Sequence, residues 1–170
     1  TTLYNLIDEQ SVKIRDFLEK NGITSNEITV ASPAITDKSA QGYGNNLKPE
    51  FRYTAIQTVI VYSEKIDAAR KVMGSLSQLG KQGIVFTGGD YQSQTEYLFT
   101  RLNEVKPEMI EEATTKAREI AQKFAADSQS SLGKIKKASQ GQFSITDRDK
   151  NNPHIKRIRV VSTVEYYLSD

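Results

Sequence analysis

The chain has 170 residues, with 23 Lys/Arg against 21 Asp/Glu, one histidine and no cysteine, for a net charge of +2 at pH 7. That length suits a single domain that buries a core without disulfides or metals, and so small a net charge does not call for nucleic acid as a partner. The lack of cysteine excludes a disulfide frame, a thiolate metal site and a Cys nucleophile, and no apolar run approaches the roughly 18 residues that a membrane-spanning helix needs.

The first residue is Thr1, not methionine, and nothing after it reads as a signal peptide, so a chain trimmed at its N-terminus is expected. Leu3, Ile7, Ile14, Phe17 and Leu18 recur at helical spacing up to Asn21-Gly22, where glycine can take the left-handed cap conformation. "EITVASPAI" follows as a β-branched strand interrupted by Pro33, which removes a ladder donor and suits an edge strand or a strand end. Residues 37–50, rich in Gly, Asn and charge, read as an excursion loop.

"FRYTAIQTVIVYS" puts Phe51, Tyr53, Ala55, Val59 and Val61 on one face and Ile56 and Ile60 on the other, the pattern of a central strand. Ser63 is a candidate N-cap for a helix whose Ile66, Ala69, Met73 and Leu76 share a face and which ends at Gly80. "IVFTGGDYQSQTEYLFTRL" reads as two strands reversing near Gly88-Gly89. The longest helix is expected from Pro107, with Glu108, Glu111 and Glu112 in its early turns. Ile110, Ala113, Ala117, Ile120, Ala121 and Phe124 form its apolar stripe, and Glu112–Lys116 and Glu119–Lys123 have the spacing of surface ion pairs.

The chain closes on a hairpin: "KIKKASQGQFSI", the turn-forming "TDRDKNNP", then an alternation of Ile158, Val160, Val164, Tyr166 and Leu168 against Arg157, Arg159, Thr163 and Glu165. The expected order is α-β-β-α-β-β-α-β-β, an α+β class with an antiparallel-rich sheet, helices on one face and the other face bare. A recurrence of helix, glycine and strand at Gly22, Gly80–Gly83 and Gly133 hints at repeated units.

Across roughly residues 5–140 the chain resembles the SIMPL-domain family, through "FLEKNGITSNEITV", "YTAIQTVIVYSEKIDAARKVMGSLSQLGKQGIVF" and "EEATTKAREIAQKFAADSQSSLGKIKKASQ". What matches is packing pattern and helix punctuation, with no catalytic signature. The resemblance implies an exported bacterial protein of the cell envelope, usually periplasmic, with a single SIMPL-like domain over residues 1–170, closed homo-oligomers and an undefined biochemical role. Some relatives are described as periplasmic immunogens or oxidative-stress defence proteins. Family members usually carry a leader and a glycine-rich strand before the first helix, both lacking here, and "HIKRIRVVSTVEYYLSD" reads as an addition beyond the family core.

Candidate sites are few. In residues 134–159 eight Lys/Arg stand against Asp147 and Asp149. A turn symmetric about "TDRDKNNP" sets Lys134 opposite Glu165 and Lys136 opposite Thr163, an exposed arrangement. Lys137 then falls on the apolar face with Ile135 and Phe143, which requires a bulge near Lys136-Lys137 or a different register. Lys134, Lys136, Gln140, Gln142, Arg157 and Arg159 form the candidate interaction face, suited to an acidic partner or a second copy, against the plainer reading of a solvated sheet face.

"DRDKNN" has the first, third and fifth spacing of an EF-hand but lacks its glycine and glutamate, so it reads as a solvated turn. His154, the sole histidine, excludes any site that needs two, and no nucleophile-elbow motif accompanies it. "TGGD" and "QGYGNN" lack phosphate-loop spacing. Tyr43, Tyr53, Tyr62, Tyr91, Tyr97, Tyr166 and Tyr167 have no interleaved basic motif and read as packing residues, not as a stacking platform.

The leading expectation is a non-enzymatic, self-associating envelope module with no cofactor, metal or nucleic acid. The alternatives are a binding module for an acidic ligand, using the 37–50 loop and the basic hairpin face, and, last, a hydrolase built on His154.

Overall fold

The computed structural model describes residues 2–41, 51–88 and 94–170. Helices and antiparallel strands are mixed along the chain, as the α+β reading expects. Contacts group them into two units, Thr1–Gln94 and Thr95–Asp170.

In the N-terminal unit, helix α1 (Thr2–Lys20) is followed by strands β1 (Ile28–Val30) and β2 (Ala34–Asp37). Strands β3 (Tyr53–Ile56) and β4 (Val59–Val61) and helices α2 (Ile66–Gly74) and α3 (Ser77–Gly80) complete it. β1 pairs antiparallel with β4, with Thr29 opposite Ile60, and β2 with β3, with Ile35 opposite Ala55. Pro33 falls between β1 and β2, as its missing donor dictates. Gln57 bridges this interruption: its amide donates to the Ala31 carbonyl at 2.8 Å, and the Ala31 N–H reaches the Thr58 carbonyl at 2.9 Å.

Residues 51–63 therefore form two short strands and not one central strand, and Ile56 and Ile60 stay exposed. The cause is register: beside the break at Pro33, the partner strand must kink at Gln57-Thr58.

Phe17 and Leu18 from α1, Ile23, Ile28, Val72 from α2, Leu79 from α3 and Ile84 make the core, with Ala69 and Leu76 packed on its rim. The inward face of α2 is thus turned onto Val72, leaving Ile66 and Met73 exposed. Ser63 does not cap the first turn at its hydroxyl's usual position. The helix opens at Ile66, and the Ser63 Oγ instead accepts the Lys65 N–H at 3.0 Å.

In the C-terminal unit, helix α4 (Leu102–Asp127) packs on a hairpin made of β5 (Ser131–Gln140), β6 (Ser144–Asp147), β7 (Lys156–Arg159) and β8 (Ser162–Ser169). β5 pairs with β8 and β6 with β7, all antiparallel. The helix begins five residues before Pro107, which lies inside it near its N-terminal end, and Arg101 forms an ion pair at 2.6 Å with Glu104 in the first turn. Lys116 pairs with Glu119, not with Glu112.

The two strands expected within residues 84–102 do not form among the described residues: 84–88 and 94–101 have no ladder partner, and Gly89 lies outside the described residues. Their β-branched and aromatic composition favours an extended chain, but a strand exists only where another strand meets it. Val85 is 84% exposed and Leu98 63%. Among the described residues the element order is not the expected one, with three helices in succession between β4 and β5.

The hint of repetition has a physical counterpart in three equivalent helix stops. After α1 the Ile23 N–H reaches the Leu18 carbonyl at 3.1 Å across Gly22, φ +93°. After α3 the Ile84 N–H reaches Leu79 at 3.2 Å across Gly83, φ +85°. After α4 the Ser130 N–H reaches Ala125 at 2.8 Å across Gln129, φ +58°. Each is a six-to-one closure over a left-handed residue, and Leu18, Leu79 and Ala125 are all buried. The third stop is made by Gln129, while Gly133 sits inside β5.

Candidate functional site

Strand alternation builds the outer face of the C-terminal hairpin. Along β7 and β8, Lys156, Ile158, Val160, Ser162, Val164 and Tyr166 are half-buried, whereas Arg157, Arg159, Val161, Thr163 and Glu165 are exposed. Helix α4 lies against β8, so the odd-numbered set is the open face.

The pairing register differs from the symmetric-turn expectation. Ile145 faces Ile158 and not His154, and the turn spans residues 148–155, closed by the Arg148 N–H on the Ile155 carbonyl at 2.8 Å. Glu165 consequently faces Lys137, and Thr163 faces Ser139, in place of Lys134 and Lys136. Both alternatives hold: besides the different register, β5 carries two register shifts, between Leu132 and Ile135 and between Ile135 and Lys137. These shifts move Lys137 off the apolar side and onto the open face.

Of the six candidate residues, Arg157 and Arg159 come together on the open face, opposite Thr146 and Ser144. Lys134 and Lys136 stand exposed within the two shifts. Gln140 pairs with Ser162 and shares the alternating set of Ala138 and Val164, and Gln142 lies between β5 and β6. Among the described residues no ion pair holds Lys134, Lys136, Lys137, Arg157 or Arg159, although Lys156, on the opposite face, pairs with Asp147. The open face also carries Glu165, opposite Lys137.

The "DRDKNN" turn is held by its own carboxylate. Asp149 accepts from Arg148 Nε at 2.7 Å, Asn152 Nδ2 at 2.9 Å and the Asn151 N–H at 3.0 Å. Led by Arg148, these donors hold its pKa down to about 2. A carboxylate saturated by its own loop is a turn former. Among the described residues, no group of three His, Cys, Asp or Glu could hold a metal ion. His154 is half-buried, its ring tilted against Tyr97 with centroids 5.9 Å apart. Lys106 lies over the Phe143 ring at 5.4 Å, a tie between the start of α4 and the hairpin.

Two carboxylates organise the N-terminal unit. Glu27 accepts from Ser63 Oγ at 2.7 Å, the Thr24 N–H at 2.7 Å and Lys65 Nζ at 3.2 Å, joining the turn after α1 to the turn before α2. Its pKa is lowered to about 2, first by Ser63 and then by Thr24. The local half of this arrangement has a signal in the sequence, because Thr24-x-x-Glu27 is the spacing of a capping box, whereas the bonds from Ser63 and Lys65 have none. Asp37 binds Arg52 at 3.0 Å and Ser39, and its pKa also falls to about 2, chiefly through Arg52.

A groove of about 410 Å³ runs beside α1, lined by Asp8, Ser11, Val12, Arg15, Val30 and Gln57. Ser11 Oγ donates to Gln57 Oε1 at 2.5 Å within it, so these two groups satisfy each other.

Tyr53 lies under the Arg52 guanidinium at 4.9 Å, and Tyr62 in the N-terminal unit and Tyr167 in the C-terminal unit are exposed. Tyr43, Tyr91, all of "QGYGNN" but Gln41, most of the 37–50 loop and part of "TGGD" lie outside the described residues. Among the described residues no helix is long and apolar enough to cross a membrane.

A family model for the SIMPL domain, described as a protein of unknown function (DUF541), matches residues 1–163. The match runs farther than residues 5–140 and takes in residues 154–163 of "HIKRIRVVSTVEYYLSD", so β7 and the first two residues of β8 are part of the family pattern and not an addition to it. No curated protein matches the chain.

Proposed function

The chain belongs to the SIMPL family of proteins of unknown function, and from that premise we propose that it works as a non-enzymatic, self-associating module of the bacterial cell envelope. The observation that carries this reading is the thin core of the C-terminal unit. Of its described residues only Ala125 is buried, while Ile120 is 53% and Phe124 69% exposed, and Ile135, Val161, Tyr167 and Leu168 are exposed as well. Apolar surface left open on this scale favours association, because each Å² removed from water is worth about 25 cal/mol. The periplasmic location rests on what the family resemblance implies. Fractionation of cells that express the full-length gene product tests it, since retention in the cytoplasm would overturn it.

Association itself is tested by sedimentation velocity over a concentration series. The reading expects a species larger than 19.0 kDa that Ile120→Lys with Phe124→Lys dissociates, with far-ultraviolet circular dichroism unchanged. A sedimentation coefficient equal in variant and parent would contradict it.

A second reading, a binding module for an acidic ligand, is favoured by the cations of the open hairpin face. Polyglutamate is a suitable probe. Binding that disappears in Arg157→Glu with Arg159→Glu supports the reading, and equal binding by both proteins, or none by the parent, removes it.

A further inference from the structure

We draw no further inference here: the strongest candidate, the exposed Ile120–Phe124 side of α4 beside the β5–β8 hairpin, is an unpartnered apolar face, and nothing in the structure shows what covers it beyond the self-association already proposed.

Discussion

Glu27 gathers donors from two turns that are far apart in sequence, and its chemistry fixes how the N-terminal unit responds to acid. Its carboxyl titrates at about 2 in the folded chain against an ordinary 4.5. The unfolded chain therefore binds the proton first as pH falls, so the stability Glu27 contributes is full above about 4.5 and is lost progressively toward 2. Thermal melts between pH 6 and 2 are expected to show a shallower acid dependence in Glu27→Gln than in the parent, with a lower Tm at pH 6. Parallel curves would show that Glu27 does not report the fold.

Gly133 makes an equally local demand. A Cβ there would stand 2.9 Å from the Tyr167 carbonyl oxygen, closer than carbon and oxygen approach without displacement of the β8 backbone. Gly133→Ala is expected to cost about 1–3 kcal/mol as an overpacked contact, read as a lowered Tm. An unchanged Tm would mean that β5 and β8 separate more easily than their pairing implies. Arg157→Glu with Arg159→Glu, by contrast, changes two open-face side chains and is expected to leave stability within about 0.5 kcal/mol per site.

Helix stops are the element most legible in the sequence. Gly22 and Gly83 stand where a left-handed residue closes each helix, and each is followed by a buried isoleucine, Ile23 and Ile84. The third stop was hidden because Gln129 carries no such signature. A side chain at φ +58° costs roughly 1 kcal/mol relative to glycine, so Gln129→Gly is expected to raise the Tm, and a lowered Tm would contradict the cap geometry.

The stripe of α4 was half legible. Ile110, Ala113, Ala117 and Ala121 turn inward as their spacing dictates, whereas Ile120 and Phe124 share the apolar arc but remain open. Periodicity gives the direction of a face and not the width of what covers it. The hairpin's existence was readable from alternation, and Lys137 falling on the apolar face signalled a bulge or a different register. Its register was not readable, because residues 146–153 contain several turn formers, and the hydrogen bond from Arg148 to Ile155 that closes the turn has no signature among them. Residues 84–88 and 94–101 show the converse limit: strand composition is local, whereas strand pairing depends on a partner elsewhere. The candidate interaction face depended on that register: Arg157 and Arg159 meet on it, while opposite β8 Lys137 stands in the place expected for Lys134 and Ser139 in the place expected for Lys136.

At the scale of the whole molecule, the two units differ in how far they satisfy themselves. The N-terminal unit buries a contiguous cluster from Phe17 to Ile84, whereas the described residues of the C-terminal unit bury only Ala125. A hairpin of two strands under one helix is marginal without further cover, and this asymmetry gives the self-association reading its physical basis. The most direct test is the solution mass of the unmodified protein by light scattering after size exclusion. A discrete mass that is a multiple of 19.0 kDa and persists on dilution is the predicted result, and a single species at 19.0 kDa across all concentrations would contradict the account.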